Sequence, residues 1–338
     1  MLRIDHVTAT EILDSRSRPT LAVSVGLTGG ERARAGVPSG ASTGSREAVE
    51  LRDGDRKRYA GSGVLTAVVK VNDEIAQALV GQSFADVAAV DAALIALDAT
   101  ATKSRLGANA IVGVSMAIAR VAALAAGVPL WQYLAPEPDL PRRPGALCFN
   151  VLNGGAHAPN SLDFQEFMVT PLGAPSVAEA VRAGAEVYAA LRARLSGKGL
   201  ATGLGDEGGF APDISKPEDV LAELVAAITD AGYTPGRDGV AIALDPASSE
   251  FYRDGVYTVA GESLSSDDMI TRYAEIVDRF PVWSVEDGLA ESDWDGWARL
   301  NARLGERVQL VGDDILVTNP AIIAEAITKN IANAALIS

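Results

Sequence analysis

Positive charge is scarce in this chain, cysteine and histidine are nearly missing, and no long uninterrupted apolar run occurs. Lys and Arg number 29 against 44 Asp and Glu, a formal net charge of −15 over 338 residues. No basic block or Lys/Arg stripe interleaved with aromatics offsets that charge, which argues against nucleic acid as a partner. Any anionic ligand has to be held instead by local cations, a metal or backbone amides. The single cysteine, Cys148, excludes an internal disulfide framework and suits a reducing compartment. A small, buried side chain is expected there. Met1-Leu-Arg-Ile-Asp-His6 shows no apolar segment of the secretory kind. The Ala-rich stretch from Ala108 to Ala126 is interrupted by Arg120 and reads as too short and broken to span a bilayer. A cytoplasmic protein without membrane contact is the expectation.

What the chain does have is apolar strand material that stops at acids. About half the residues are apolar, 48%, with mean hydropathy +0.15, enough for a sizeable core. Three β-branched or Leu-rich runs end on carboxylates: Val240 to Leu244 before Asp245, Val282 to Val285 before Glu286-Asp287, and Val308 to Gly312 before Asp313-Asp314. Short runs without alternation, separated by helical spacers, read as parallel strands covered on both faces. In barrels of such strands the carboxyl ends carry the active site. Oxygen donors converging there, with hardly any His or Cys, suit Mg²⁺. A metal site for an anionic substrate follows from the residues alone.

Earlier in the chain, residues 1 to about 30 alternate as strands do, and Ala33 to Val37 completes a three-stranded antiparallel meander. Pro38-Ser-Gly-Ala-Ser-Thr-Gly44 consists of small residues. It reads as a mobile loop whose amides and hydroxyls, Ser39, Ala41 and Ser42 among them, can close over an anion or supply a metal ligand. Val64 to Leu79, Val87 to Leu97 and Ala108 to Leu124 carry helical spacing. This predicts an α+β N-terminal capping domain over 1–135. The prolines of 136–145 forbid regular structure and mark a linker, and 146–338 is the second domain. Its first strand runs from Ala146 to Leu152. A second, Phe164 to Val169, is expected to bury Glu166 among apolar neighbours, where a carboxylate has to be paired, protonated or part of a site. Helices are expected over Val177–Leu195 and Pro217–Ala231. They bracket Gly203 to Gly209, where glycines around Asp206 and Glu207 allow close approach to a substrate. Further helices are expected over Asp267–Phe280, Asp293–Leu304 and Pro320–Thr328, with Ser292 and Asn319 as N-caps. Ala334 to Ser338 closes a count of about six strands, where a closed barrel has about eight.

These motifs together resemble the enolase (phosphopyruvate hydratase) family. The resemblance is carried by Asp14-Ser-Arg, Pro38 to Gly44, Leu106-Gly-Ala-Asn-Ala110, Asn150 to Gly155 with His157, Gln165-Glu-Phe-Met168 and Gly205-Asp-Glu-Gly-Gly209. Leu244-Asp245 with Ala247 to Phe251, Val285-Glu-Asp287, and Asp313-Asp314 with Val317-Thr-Asn-Pro320 complete it, in order over essentially the whole chain. It implies a TIM-like (β/α) barrel behind an α+β domain and commonly a homodimer or higher oligomer. It also implies Asp245, Glu286 and Asp313 as ligands of one Mg²⁺, and Ser39 as a ligand of a second, substrate-dependent Mg²⁺. Glu207 with Glu166 beside it matches the acid that assists loss of a hydroxyl; His157 and Gln165 match substrate contacts.

Two departures stand out. Ser17-Arg18 replaces the family's usual Gly-Asn, and Ser338 falls where the family carries its catalytic Lys. A hydroxyl titrates far too high to replace that amine. The last barrel strands have no counterpart here, and a chain continuing beyond Ser338 is expected. The resemblance therefore implies Mg²⁺-dependent lyase chemistry on a 2-phosphoglycerate or phosphoenolpyruvate-like acid. The alternatives are a paralogue of phosphonate antibiotic biosynthesis, like carboxyphosphonoenolpyruvate synthase, acting on a phosphonylated acid, and a non-catalytic binding protein of the same fold.

Overall fold

The computed structural model describes residues 1–40, 44–135 and 144–337, and these fall into two units. Residues 1–40 and 46–135 make up the first, residues 44–45 and 144–337 the second.

In the first unit β1 (Leu2–Leu13), β2 (Pro19–Leu27) and β3 (Arg32–Gly36) form the expected antiparallel meander. α1 (Leu65–Lys70) runs through a π turn at Val71–Ile75 into α2 (Ala76–Leu79), and a short β4 (Ser83–Phe84) adds to the free side of β1. α3 (Val87–Asp98), α4 (Ala108–Ala126) and α5 (Leu130–Leu134) complete the unit. β2 is the middle strand of the meander and is buried along nearly its whole length. α4 is long and apolar enough to cross a membrane by length and composition. Its Ala110, Val114, Ala117, Ile118 and Val121 instead lie in one core with Leu21, Val23 and Val25 of β2.

The second unit is built on β5 (Phe149–Asn153), β6 (Glu166–Thr170), β7 (Ala241–Asp245), β11 (Val282–Glu286), β12 (Gln309–Gly312) and β13 (Ala334–Ala335). The order across this sheet is β13-β12-β11-β7-β6-β5. A separate three-stranded sheet of β8 (Tyr252–Arg253), β9 (Val256–Val259) and β10 (Glu262–Leu264) follows β7 in the chain. Helices α6 (Val177–Gly197), α7 (Pro217–Asp230), α8 (Ser266–Arg279), α9 (Trp294–Leu304) and α10 (Pro320–Lys329) account for the amphipathic spacers. β7, β11, β12 and β13 pair in parallel, whereas β5–β6 and β6–β7 are antiparallel. Apolar runs carry no mark of direction, so the sequence pattern gave no sign of this reversal.

Local signals hold with four corrections. α10 starts as expected at Asn319, whose side chain accepts from the Ala321 amide. α9 is capped by Asp293, accepting from Gly296, and not by Ser292; the carboxylate one residue on reaches the first free N–H groups of the helix. The first strand of this unit begins at Phe149, and Cys148 just before it is exposed, not buried. Glu166 has 18% of its side chain exposed. It is the first residue of its strand, so its neighbours are the polar groups of the sheet rim and not an apolar core.

Candidate active site

The antiparallel turn of β6 decides the geometry. Because β6 runs against β7, its first residue lies beside the last residue of β7, and Glu166 pairs directly with Asp245. On one side Asn153, the last residue of β5, pairs with Glu166. On the other, Leu244 pairs with Val285 and Glu286 pairs with Val311. Asp245 is thus followed along the rim by Glu286 and then by Asp313, just past the end of β12. Four carboxylates stand in a row on one rim of one sheet, with neighbouring strands about 4.8 Å apart.

Asp245, Glu286 and Asp313 of that row, and Asp287 next to Glu286, are disfavoured as anions. Burial pushes the Asp245 carboxyl well above the ordinary range, and the charges of Glu286, Glu166 and Asp287 push it further. Burial, then Asp287 and Asp313, raise Glu286 to about 8. Asp313 is raised by burial and by Glu166. Asp287 is raised to about 8 by burial and by Asp314. Clustered, partly desolvated carboxylates of this kind are what a hard divalent cation resolves, so the donor set fits Mg²⁺. Ligand atoms of Asp287, Asp313 and Asp314 also lie within 4.8 Å of one another.

The backbone is strained at the same rim. Asp287, Ala247, Val317 and Thr318 all have positive φ, at 37°, 49°, 45° and 52°. For Val317 and Thr318, both β-branched, that is a costly conformation, of the kind concentrated at functional sites. Gly44 comes up against this edge: a Cβ there would stand 2.7 Å from Val317 Cγ1 and 2.8 Å from the Asp314 carbonyl oxygen. Only glycine fits.

Beside the acids lies a polar wall. His157 is buried, with Nδ1 3.3 Å from Glu166 Oε1. His157 Nε2, Gln165 Oε1 and Asn150 Nδ2 are buried without a hydrogen-bond partner among the described residues. Buried polar atoms are nearly always satisfied, so three such atoms beside one acid row point to a polar ligand. Asn153, fully buried, organises the wall. Its Nδ2 donates to the Gln165 carbonyl (3.2 Å) and to Asn150 Oδ1 (3.3 Å), and its Oδ1 accepts from the Gly209 amide (3.0 Å). The Asp206 amide donates to the His157 carbonyl (3.0 Å). Both ends of the Gly-rich loop are therefore tied to this wall, while Glu207 at its tip is exposed.

The fold thus brings together Asp245, Glu286, Asp313, Glu166, His157 and Gln165. Ser39 belongs to the first unit, where its hydroxyl accepts from Arg52 Nη2 (2.7 Å) and faces Glu50 Oε2 (3.5 Å). Ala41, Ser42 and Ser338 lie outside the described residues. Asn153 and Asp287 were given no role from the sequence. Asp287 showed only as an acid after a strand run and Asn153 only as part of a motif, since hydrogen bonds from side chain to distant backbone leave no periodicity to read.

Two family models match the chain. Residues 4–134 match the enolase N-terminal domain, and residues 144–338 match the enolase C-terminal TIM barrel domain. The chain belongs to the enolase family. Lyase chemistry of the enolase superfamily is the general activity that membership carries, and enolases are typically Mg²⁺-dependent, in keeping with the acid row.

Proposed function

We propose that this chain carries out Mg²⁺-dependent lyase chemistry on a small phosphorylated 2-phosphoglycerate or phosphoenolpyruvate-like acid. The observation that supports it most is the row Glu166, Asp245, Glu286 and Asp313 on one rim, flanked by buried polar atoms with no hydrogen-bond partner among the described residues. Asp245, Glu286 and Asp313 would hold the ion. Bound there, Mg²⁺ supplies positive charge for a substrate carboxylate that becomes more electron-rich as its α proton leaves.

The chain's own groups do the rest. Gln165 Oε1 would accept from a substrate hydroxyl and Asn150 Nδ2 would donate to a substrate oxygen. His157 and Glu166, 3.3 Å apart, form a pair able to hold a proton beside the substrate. Glu207, on its glycine-rich loop, is the group that would protonate the departing hydroxyl. A second reading rests on two sequence observations, Ser338 at the position of the family's base Lys and Arg18 in the Asp14 loop. It makes the protein a paralogue acting on a phosphonylated acid.

The test is incubation of the purified protein with Mg²⁺ and 2-phosphoglycerate, following phosphoenolpyruvate by its ultraviolet absorbance. Turnover at ordinary enolase rates supports the first reading and rejects the second. Absence of turnover, with Mg²⁺ and phosphoenolpyruvate still bound in calorimetry, rejects the first and turns the assay to phosphonoformate-type substrates. Absence of any binding leaves the non-catalytic form of the fold.

A further inference from the structure

At this rim the carboxylates admit two ligand sets. One is Asp245, Glu286 and Asp313; the other is Asp287, Asp313 and Asp314, whose ligand oxygens lie within 4.8 Å of one another. Hydrogen bonding separates them. Asp287 is 4% exposed and both its carboxylate oxygens are engaged by main-chain donors. Oδ1 accepts from the Asp313 amide at 3.1 Å and Oδ2 from the Asp314 amide at 2.8 Å. Its own amide donates to the Val311 carbonyl (3.0 Å), and its carbonyl accepts from the Ser248 amide (3.1 Å). One residue therefore joins the chain after β7, the end of β11 and both sides of the turn after β12. It does so with φ at 37°, a conformation that a non-glycine residue keeps only when its surroundings hold it.

Turning the Asp287 carboxylate toward a cation would break both side-chain bonds and leave two amides without acceptors in a largely buried turn, a costly exchange. Asp313, by contrast, is held in this turn through its main chain, its N–H on Asp287 Oδ1 and its carbonyl accepting from the Leu316 (2.9 Å) and Val317 (2.7 Å) amides, which leaves its carboxylate outside the clip. We infer that Asp287 is a positioning residue and not a metal ligand: its carboxylate clips the turn after β12 so that the Asp313 carboxylate is aimed into the row with Asp245 and Glu286. This rests on the Mg²⁺ reading given above and adds to it the group that aims one ligand. Partners that orient metal ligands typically change affinity by about 10–100-fold when removed.

The experiment uses the full chain stripped of metal, with Asp287→Asn and Asp245→Asn. Amide hydrogen exchange at Asp313 and Asp314 is read by NMR, and Mg²⁺ affinity by calorimetry. Asp287→Asn keeps the shape but presents an NH₂ to one of the two amides. The expected result is loss of protection at Asp313 or Asp314 in the metal-free protein, with Mg²⁺ bound about 10–100-fold more weakly at unchanged stoichiometry. Asp245→Asn should lose Mg²⁺ while both amides stay protected. Unchanged protection in Asp287→Asn overturns the proposal, and so does an unchanged Mg²⁺ affinity. Retention of Mg²⁺ by Asp245→Asn together with its loss in Asp287→Asn also overturns it, by making Asp287 a ligand. If Asp287→Asn does not fold, the unmodified metal-free protein decides: unprotected Asp313 and Asp314 amides reject the clip and protected ones support it. Failure of the unmodified protein to bind Mg²⁺ at all would instead reject the metal reading, whatever the amides show.

Discussion

Ser17 shows what one side chain costs. It stands where the family usually has glycine, and its φ is 59°, in a loop tied by the Asp14 carboxylate to the amides of Arg16 and Arg18. A left-handed conformation costs an L-residue about 1–2 kcal/mol, of which glycine's extra unfolded-state freedom returns about 0.5–1 kcal/mol. Ser17→Gly is expected to stabilise the protein by about 0.5–1 kcal/mol, read as a higher urea midpoint. Glu11 gives a pH dependence in the same unit. The Arg58 guanidinium bound to it holds its carboxyl below the ordinary value of 4.5, and burial opposes this. A lowered folded-state value stabilises the fold above the unfolded-state value, and that contribution is lost as pH falls through the lower folded one. The stability of wild type relative to Glu11→Gln should therefore be largest above about pH 5 and shrink below about pH 4. Equal stability differences at pH 7 and pH 3 would reject this.

Among elements, the Gly-rich loop depends most on one neighbour. A Cβ on Gly209 would fall 2.6 Å from Asn153 Oδ1 and 2.7 Å from the Leu152 amide nitrogen, so the loop packs directly on the end of β5. Gly209→Ala is expected to cost about 1–3 kcal/mol through forced displacement. Asn153→Ala should lower kcat more than it raises KM, because it frees the Glu207 loop and leaves the Gly209 amide without its acceptor. A change in KM alone would argue that Asn153 only supports binding. How much was legible in the sequence follows element by element. The stops at Asp245, Glu286 and Asp313 marked the rim because β-branched runs and acids differ so sharply in solubility. The meander and the helices followed from period alone. The direction of β6, the hub at Asn153 and the clip at Asp287 were not legible. Each arises from pairing between distant segments, and no local pattern records which segment a side chain will meet.

For the whole molecule, the acid row sets stability against function. Asp245 is buried, Glu286 and Asp313 are half-buried, and each is disfavoured as an anion, so at neutral pH without a cation folding has to hold protons there that the unfolded chain does not bind, which costs stability. Asp245→Asn keeps the oxygen that accepts from the Ala247 amide at 2.9 Å and removes the ionisable group whose anion the site disfavours. Its metal-free form should melt higher than metal-free wild type, and Mg²⁺ should raise its melting temperature little or not at all. Wild type with Mg²⁺ at about 100 times its Kd should gain roughly 2.7 kcal/mol, all of it removable by chelator. Equal melting of both metal-free proteins would reject that cost.

The reversal of β6 also decides where this protein can be altered without harm. Since that strand begins at the acid rim, the segment that matters is the one entering it, from Gly154 to Gln165. The segment leaving it, past Thr170, lies at the far rim, and Pro175 and Ser176 there are exposed. A tag or a grafted loop belongs between those two residues, where chain length is free to vary. The same addition before Glu166 would move His157 and Gln165 away from the acids they face.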